Sequence, residues 1–293
     1  MRIVAVVVSW NGREDTFACL ESLRGVDTVC VDNGSTDGSP EAVAERFPEV
    51  ELVRTGVNLG FSGGNNVGLR RALERGAEWV LLLNNDAVAG PGLVAALERA
   101  ALARPDAGVL ACKVLFREQP GTLMFAGGRV SLGLGFNGRA DGWGRPDDGA
   151  WSELRDVERA TGAGMAVSRA AIESVGLLDE GFFAYVEDVD WCIRIRRAGF
   201  SVVFVPDARV WHAGSASTGG AGSPTSLRYS ARNTLALVER HRPLPRGLTG
   251  LRRAVVVGTH LAQALLGPRR SAAVRAVWHG WRDYGAGRMG RIA

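Results

Sequence analysis

Two carboxylate clusters and a single histidine carry most of the chemistry this sequence can offer. The run Trp79-Val80-Leu81-Leu82-Leu83-Asn84-Asn85-Asp86 is apolar throughout and then stops at two amides and an acid. Such a run without alternation reads as a strand buried on both faces, and its polar end lies where open α/β sheets bind ligands. An aspartate there also suits a turn or a helix N-cap, so the residue alone does not decide. In Trp211-His212-Ala213-Gly214-Ser215 the imidazole is a hydrogen-bonding residue or a metal ligand, and His212 would complement Asp86 if the two strand ends lay side by side. Glu187-Asp188-Val189-Asp190 places three acids at a helix start, where the helix dipole favours them. Asp190 with Arg194 is an i,i+4 ion pair, whereas Glu187 and Asp188 follow the aromatic stretch Phe182-Phe183-Ala184-Tyr185 and can face a pocket. A carboxylate held there can take a proton from an incoming hydroxyl.

Two further stretches suit ligand binding without catalysis. Asp32-Asn33-Gly34-Ser35-Thr36-Asp37-Gly38 closes a short strand, reading either as a capped turn or as a contact for a nucleobase or ribose. Asn58-Leu59-Gly60-Phe61-Ser62-Gly63-Gly64-Asn65-Asn66 precedes a helix, where glycines let the backbone approach a phosphate or sugar. Neither a Gly-x-Gly-x-x-Gly fingerprint after the first strand nor a Walker motif is present.

The elements that must position these residues alternate. Strands are expected at Ile3–Val8, Val26–Val31, Val50–Val53, Trp79–Leu83 and Gly108–Val114, with helices at Arg13–Leu23, Ser39–Arg46, Asn65–Arg75 and Gly92–Ala103. That rhythm means βαβ units and a mostly parallel sheet with helices on both faces. It breaks over residues 117–156, rich in Gly, Asp and Pro, where one β segment is expected at Leu123–Leu132 and a part in shaping an acceptor cleft. A glycine-opened strand at Thr161–Val167, helices at Arg169–Val175 and Glu187–Arg197, and short strands at Phe200–Val205 and Ala208–Trp211 follow. Gly214–Ser226 has the composition of a flexible loop, and Leu227–Ala293 is helical in pattern and arginine-rich. The expected division is thus residues 1–226 and residues 227–293.

Composition narrows the class. At 293 residues and 46% hydrophobic content the chain can bury a large core. Net charge is +4, and Lys113 is the only lysine, so the basic character is arginine, which suits phosphates but names no partner. Cys19, Cys30, Cys112 and Cys192 contain no Cys-x-x-Cys pair and read as small buried hydrophobes in a reducing compartment. The first residues read as a strand rather than a signal peptide, and no apolar run reaches the roughly 18 residues of a membrane span. The basic tail, with Trp278 and Trp281 among apolar positions, suits packing on the preceding domain or on a second subunit, or peripheral contact with an anionic membrane; no nucleic-acid motif accompanies it.

Taken in order, Val31-Asp32-Asn33-Gly34-Ser35-Thr36-Asp37, Asn58-Leu59-Gly60-Phe61 with Asn65-Asn66, Leu83-Asn84-Asn85-Asp86, Gly162-Ala163-Gly164, Glu187-Asp188-Val189-Asp190 and His212 resemble the family 2 nucleotide-sugar glycosyltransferases, inverting enzymes of the GT-A fold. The resemblance spans roughly Arg2 to Ser217 and is nearest to rhamnosyltransferase-like members that build bacterial surface polysaccharides. It implies Asp86 and His212 as ligands of Mg²⁺ or Mn²⁺ on the donor diphosphate, with Asn84 where the family's first acid stands. It implies Asp188 as general base with Glu187 beside it, and Asp32 as reader of a pyrimidine base. Donor contacts are expected from Ser9, Asn11, Asn33, Asn58, Gly60, Phe61, Asn65, Asn84 and Asn85, and an acceptor and sugar pocket from Gly162, Ala163, Gly164, Tyr185 and Trp211. The implied reaction moves a sugar from a dTDP- or UDP-sugar to a glycan or lipid-linked acceptor, in the cytoplasm or at the inner face of the plasma membrane. Two rivals remain: a glycan- or nucleotide-binding protein that keeps the fold without catalysis, which Asn84 favours, and a sugar-1-phosphate nucleotidyltransferase, for which Ser9-Trp10-Asn11-Gly12 lacks the expected basic glycine-rich loop.

Overall fold

Seven residues of β1 (Ile3–Ser9) are buried almost end to end, as a strand with neighbours on both edges and helices on both faces must be. The structure is a computed structural model that describes residues 1–214, 222–267 and 269–292. β1 pairs in parallel with β2 (Thr28–Asp32) and β4 (Trp79–Asn84), and β2 with β3 (Glu51–Arg54). The crossovers are α1 (Arg13–Ser22), α2 (Ser39–Arg46) and α3 (Gly60–Glu74). Leu81, Leu82 and Leu83 of β4 are all buried, each contributing about 1.5–3 kcal/mol relative to exposure. The helix expected from Asn65 begins at Gly60, so most of the glycine stretch is the helix's first turns and not a loop.

Beyond β4 the chain adds β5 (Ala87–Ala89), α4 (Leu93–Ala103), β6 (Ala107–Phe116), β7 (Leu123–Phe125), β8 (Arg155–Val157), β9 (Gly164–Ser168), α5 (Arg169–Val175), α6 (Glu187–Arg197) and β10 (Ser201–His212). Sheet order is β3-β2-β1-β4-β9-β6-β10-β5, with β7 on β6 and β8 on β10. β6 and β10 are parallel, while β9 runs antiparallel to both β4 and β6. No helical crossover precedes β9; the chain returns from the excursion of residues 117–156 and enters the sheet from the opposite end. Gly164 therefore pairs with Leu83, which sets the start of β9 at the carboxyl edge of β4. The two short strands expected at 200–211 are one strand with a register shift between Val205 and Arg209, where Pro206 has no N–H to give the ladder.

The β segment expected at Leu123–Leu132 is regular only to Phe125, and isolated bridges such as Gly128–Ala140 and Ser131–Asn137 carry the rest. Leu132 and Phe136 of this region pack on the C-terminal helices, and the Gly133 carbonyl accepts from Arg252 Nη2 at 2.7 Å. A buried pair, Lys113 Nζ to Asp147 Oδ1 at 2.8 Å, anchors its far end.

Three helices complete the chain: α7 (Pro224–His241), α8 (Arg246–Leu266) and α9 (Arg270–Gly285). α7 starts before the expected boundary at residue 227, and residues 215–221 of the expected flexible loop lie outside the described residues. The three helices share a small core of Leu227, Ala231, Leu235, Val256 and Val277, and Leu237 of α7 joins Phe182, Val189 and Ile193 of the α6 region. α9 lies close on α7 because Gly280 has no side chain; a Cβ there would stand 2.3 Å from the Arg228 carbonyl oxygen. Among the described residues no helix is long and apolar enough to cross a membrane. The four cysteines are free and buried, and burial pushes the Cys30, Cys112 and Cys192 thiols up to about 12.

Candidate active site

At the carboxyl edge of the sheet, pairing decides what meets. β5 turns back antiparallel to β10, so that His212 pairs with Ala87 and Ala213 N donates to Asp86 O at 3.1 Å. This register puts the His212 ring against Asp86: Nε2 lies 2.9 Å from Asp86 Oδ1 and 3.1 Å from Asn84 Nδ2. Nδ1 faces the Met124 sulfur at 3.3 Å. With the proton on Nε2 the imidazole donates to Asp86 Oδ1; with it on Nδ1, facing the sulfur, the Nε2 lone pair and the carboxylate together can bind a cation. One acid, one imidazole and one amide suit a hard cation that completes its shell with phosphate oxygens, and among the described residues no third acid, histidine or cysteine joins them.

Another side of the site is built by Asn33, just past the end of β2. Its Oδ1 accepts from Leu59 N at 3.0 Å, and its Nδ2 donates to the Gly60 carbonyl at 3.0 Å. Gly60 has φ +75° and is pressed against Phe183, whose ring and carbonyl would stand 2.5 Å from any Cβ. Ser62 N donates to that same Phe183 carbonyl at 3.2 Å, tying the start of α3 to the segment before α6.

That segment is strained. Phe183, Tyr185 and Val186 have φ of 65°, 73° and 65°, unusual for side chains of that size. It delivers Glu187 and Asp188 into the first turn of α6. Asp188 is half-buried and its Oδ2 accepts from Gly162 N at 3.1 Å, across the start of β9. Glu187 is buried, and its Oε2 has no hydrogen-bond partner. Burial above all, then the charge of Asp188 and of Asp190, holds its carboxyl well above the ordinary carboxylate range. Asp190 points away, gripped by Arg194 Nε at 2.8 Å, Arg240 Nη1 at 3.1 Å and His241 Nε2 at 2.7 Å, and is a structural acid.

A Glu187 carboxyl raised in the folded chain binds more protons folded than unfolded between its ordinary value of 4.5 and the higher folded value. Its contribution to stability is therefore present at low pH and is lost as pH rises through the folded value. Glu187→Gln is expected to match the wild type in urea unfolding near pH 4.5 and to exceed it increasingly towards about pH 8. Parallel pH dependences for the two proteins would contradict the assignment.

One cleft of about 980 Å³ gathers these pieces. Asn33, Asn58, Gly60, Phe61, Asn65, Asn84, Asn85, Asp86, Gly162, Ala163, Tyr185, Glu187, Asp188 and His212 all line it. Five expected residues do not. Ser9 points to the other side of β1 from Val8 and Trp10 and bonds Thr16 at 2.9 Å. Asn11 is spent on the turn, its Oδ1 accepting from Thr36 N at 2.9 Å. Asp32 is buried and caps its own turn through Ser35 N at 3.0 Å. Gly164 is inside the sheet against Cys112 and Val210, and Trp211, alternating with His212, faces outward and bonds the Pro120 carbonyl at 3.1 Å. None of residues 117–156 is among the lining of this cleft; Met124 backs the His212 ring, and Leu132 and Phe136 pack on the C-terminal helices.

The cleft also holds residues that sequence reasoning passed over: Trp10, Arg159, Phe183, and from the C-terminal helices and tail Arg228, Tyr229, Arg275, His279 and Arg291. The Tyr229 ring stacks on Phe183 at 5.2 Å between centroids. The only signal for the helical residues was the arginine content of the tail, which pattern alone assigned to packing or membrane contact.

Comparison with known proteins follows the same lines. Residues 2–238 match the profile described as glycosyltransferase-like family 2. A similar curated protein is the N-acetylglucosaminyl-diphospho-decaprenol L-rhamnosyltransferase of Mycobacterium tuberculosis, 33% identical over 82% of this chain and 84% of its own. Another is the dTDP-rhamnosyl transferase RfbF of Shigella flexneri, 25% identical over 83% of this chain and 82% of its own. Among solved structures, the mannosyltransferase of Pyrobaculum calidifontis in complex with GDP-Man and Mn²⁺ superposes with a TM-score of 0.57 at 19% identity, covering 99% of this chain and 76% of that one. TarS of S. aureus in complex with UDP-GlcNAc gives 0.56 at 12% identity, covering 100% and 94%. The fold is that of the GT-A glycosyltransferases, and the chain belongs to glycosyltransferase family 2.

Proposed function

We propose that this chain is an inverting, metal-assisted glycosyltransferase that moves rhamnose from a pyrimidine nucleotide-sugar, dTDP- or UDP-linked, to a hydroxyl of a lipid-linked or other glycan acceptor in cell-wall or surface-polysaccharide synthesis. The observation that carries this reading is the convergence of the Asp86–His212 pair and the Glu187–Asp188 pair on one cleft. Two rhamnosyltransferases among the relatives support the sugar.

In this reading the pyrimidine lies at the ends of β1 and β2, on the turn that Asp32 caps, with Asn33, Asn58 and the start of α3 along the nucleotide. Asp86 and His212 would hold Mg²⁺ or Mn²⁺, which when bound neutralises the charge that develops on the leaving diphosphate. Asp188, oriented by Gly162 N–H, accepts the proton of the acceptor hydroxyl. The hydroxyl oxygen bonds to the anomeric carbon as the bond to the diphosphate oxygen breaks on the opposite face, and the nucleoside diphosphate leaves with the electron pair. One displacement inverts the configuration. Glu187, kept neutral by burial, leaves Asp188 as the acceptor of the proton and avoids two like charges side by side. Exposed Leu251, Leu265, Leu266 and Trp278 on α8 and α9 suit peripheral contact at the inner face of the plasma membrane, where a lipid-linked acceptor would be met.

The test is calorimetric binding and product analysis with UDP-, dTDP- and GDP-sugars, with and without Mn²⁺. One pyrimidine nucleotide-sugar should bind in a metal-dependent way, and Asp86→Ala should weaken that binding at least about tenfold and abolish its dependence on Mn²⁺. Equal weak binding of purine and pyrimidine donors, unaffected by metal or by Asp86→Ala, would replace catalysis with the binding-protein reading that Asn84 favours.

A further inference from the structure

The cleft has a basic wall that the donor, as placed above, does not use. Arg275 and His279 lie one turn apart on α9, on the face that also carries Ala272 and Ala276, and Arg291 joins them from the tail. All three are exposed, line the cleft, and form no ion pair or side-chain hydrogen bond with another described residue. Arg228 on α7 is different: its Nε is held by Asp283 at 2.7 Å, so its charge is matched and its side chain fixed. Surface arginines in this chain commonly find carboxylates, as Arg104 does with Asp106 and Asp156. Two guanidinium groups without a carboxylate partner, with an imidazole donor beside them, attract a multiply charged anion to a concave surface, and arginine's planar fork suits phosphate oxygens in particular.

Placement separates this wall from the donor. The donor side is held by Asn33, Asn58 and Gly60; the Phe183–Tyr185 segment stands next, its ring stacked on Tyr229 of α7, and α9 lies beyond α7 through Gly280. The carboxylates of Glu187 and Asp188 follow that segment in the first turn of α6 and line the same cleft as Arg275, His279 and Arg291, so a molecule resting on α9 shares the cleft with them. Outward from the same helix, Trp278 is 50% exposed, and Leu266 at the end of α8 is 87% exposed. Cations inside and apolar side chains outside match a diphosphate with a hydrocarbon chain attached.

We propose that Arg275, His279 and Arg291 form a subsite for the diphosphate of a lipid-diphosphate-linked sugar acceptor, which rests on the transferase reading above and names its acceptor class. The test uses farnesyl diphosphate, inorganic diphosphate and farnesol as probes on the full chain, with nucleotide-sugar binding as a separate arm. Wild type is expected to bind farnesyl diphosphate well above both other probes. Arg275→Gln with Arg291→Gln should weaken that binding at least about tenfold while leaving nucleotide-sugar affinity and thermal midpoint in place. His279→Gln should give a smaller loss. Unchanged farnesyl diphosphate affinity in the double variant overturns the subsite, as does inorganic diphosphate binding equally well. An equal loss of nucleotide-sugar affinity gives the wall to the donor and overturns it too. A wild type that binds no nucleotide-sugar would sink the transferase reading, while the farnesyl arm would still decide the wall.

Discussion

Asp188→Asn is expected to lower kcat by about 10²–10⁴-fold while donor affinity stays within about threefold, the largest effect any single substitution should produce. The amide keeps the volume and still can accept from Gly162 N, now 3.1 Å from Oδ2, so the start of β9 keeps its place. What it cannot do is take a proton. The proposed donor contacts are Asn33, Asn58, Asn84 and Asp86, whereas Asp188 bonds Gly162 N, so binding of the nucleotide-sugar is not expected to be the step that suffers. Single-turnover transfer with saturating donor, beside equilibrium binding of the same donor, separates the two quantities. Glu187→Gln supplies the contrast: it keeps a neutral, buried group, and should lose far less than Asp188→Asn. If Glu187→Gln were the more damaging of the two, the proton would belong to Glu187 and the buried carboxyl would have to ionise during turnover.

These assignments were legible in the chain to different depths. The buried strand that leads to Asp86 announces itself because five apolar residues in a row, bounded by Glu78 and Asn84, have the length and pattern of a strand covered on both faces. The partnership of Asp86 with His212 was foreseeable as a possibility, but its cause, the three-residue β5 turning back along β10, is too short to leave a pattern. Asp32 is a different case. A strand-end carboxylate reads from sequence as a capped turn or as a ligand contact, and the folded chain shows the first of these, with one oxygen committed to its own turn. Trp211 and His212 are adjacent in sequence and point to opposite sides of one strand, so a pocket that takes one excludes the other. The basic wall on α9 was invisible for a different reason. Nothing local marks Arg275 and Arg291 as facing a cleft whose carboxylates are so distant in sequence; the close approach of α9 to α7 at Gly280 brings the first there, and the tail's bonds to Arg232 and Tyr229 bring the second.

The second large effect is expected at Asn233, a residue with no chemistry of its own. Its buried side-chain amide donates to the carbonyls of Phe182 at 2.9 Å, Ala184 at 2.7 Å and Tyr185 at 2.9 Å, while its Oδ1 accepts from Arg232 Nε at 2.9 Å. Arg232, fully buried, adds Nη2 to the Phe182 carbonyl at 3.0 Å. These bonds span the segment in which Phe183, Tyr185 and Val186 sit at positive φ, a conformation costing about 1–3 kcal/mol per residue that persists only where the surroundings over-determine it. Asn233→Ala removes these donors and also the acceptor of the buried Arg232 Nε, so a loss of about 2–4 kcal/mol in unfolding free energy is expected. Relaxation of the segment also swings the first turn of α6, and a base displaced by about 1 Å costs on the order of 10²-fold. The expected signature is therefore a fall in kcat of about 10–10²-fold with donor affinity retained, since Asn33 still holds Leu59 and Gly60. Asn233→Asp keeps the shape but turns donors into acceptors facing three carbonyls, and should do worse than alanine on both counts. If the alanine variant loses stability but turns over like wild type once folded, Asn233 serves the fold alone and the strained segment is not what aims Asp188.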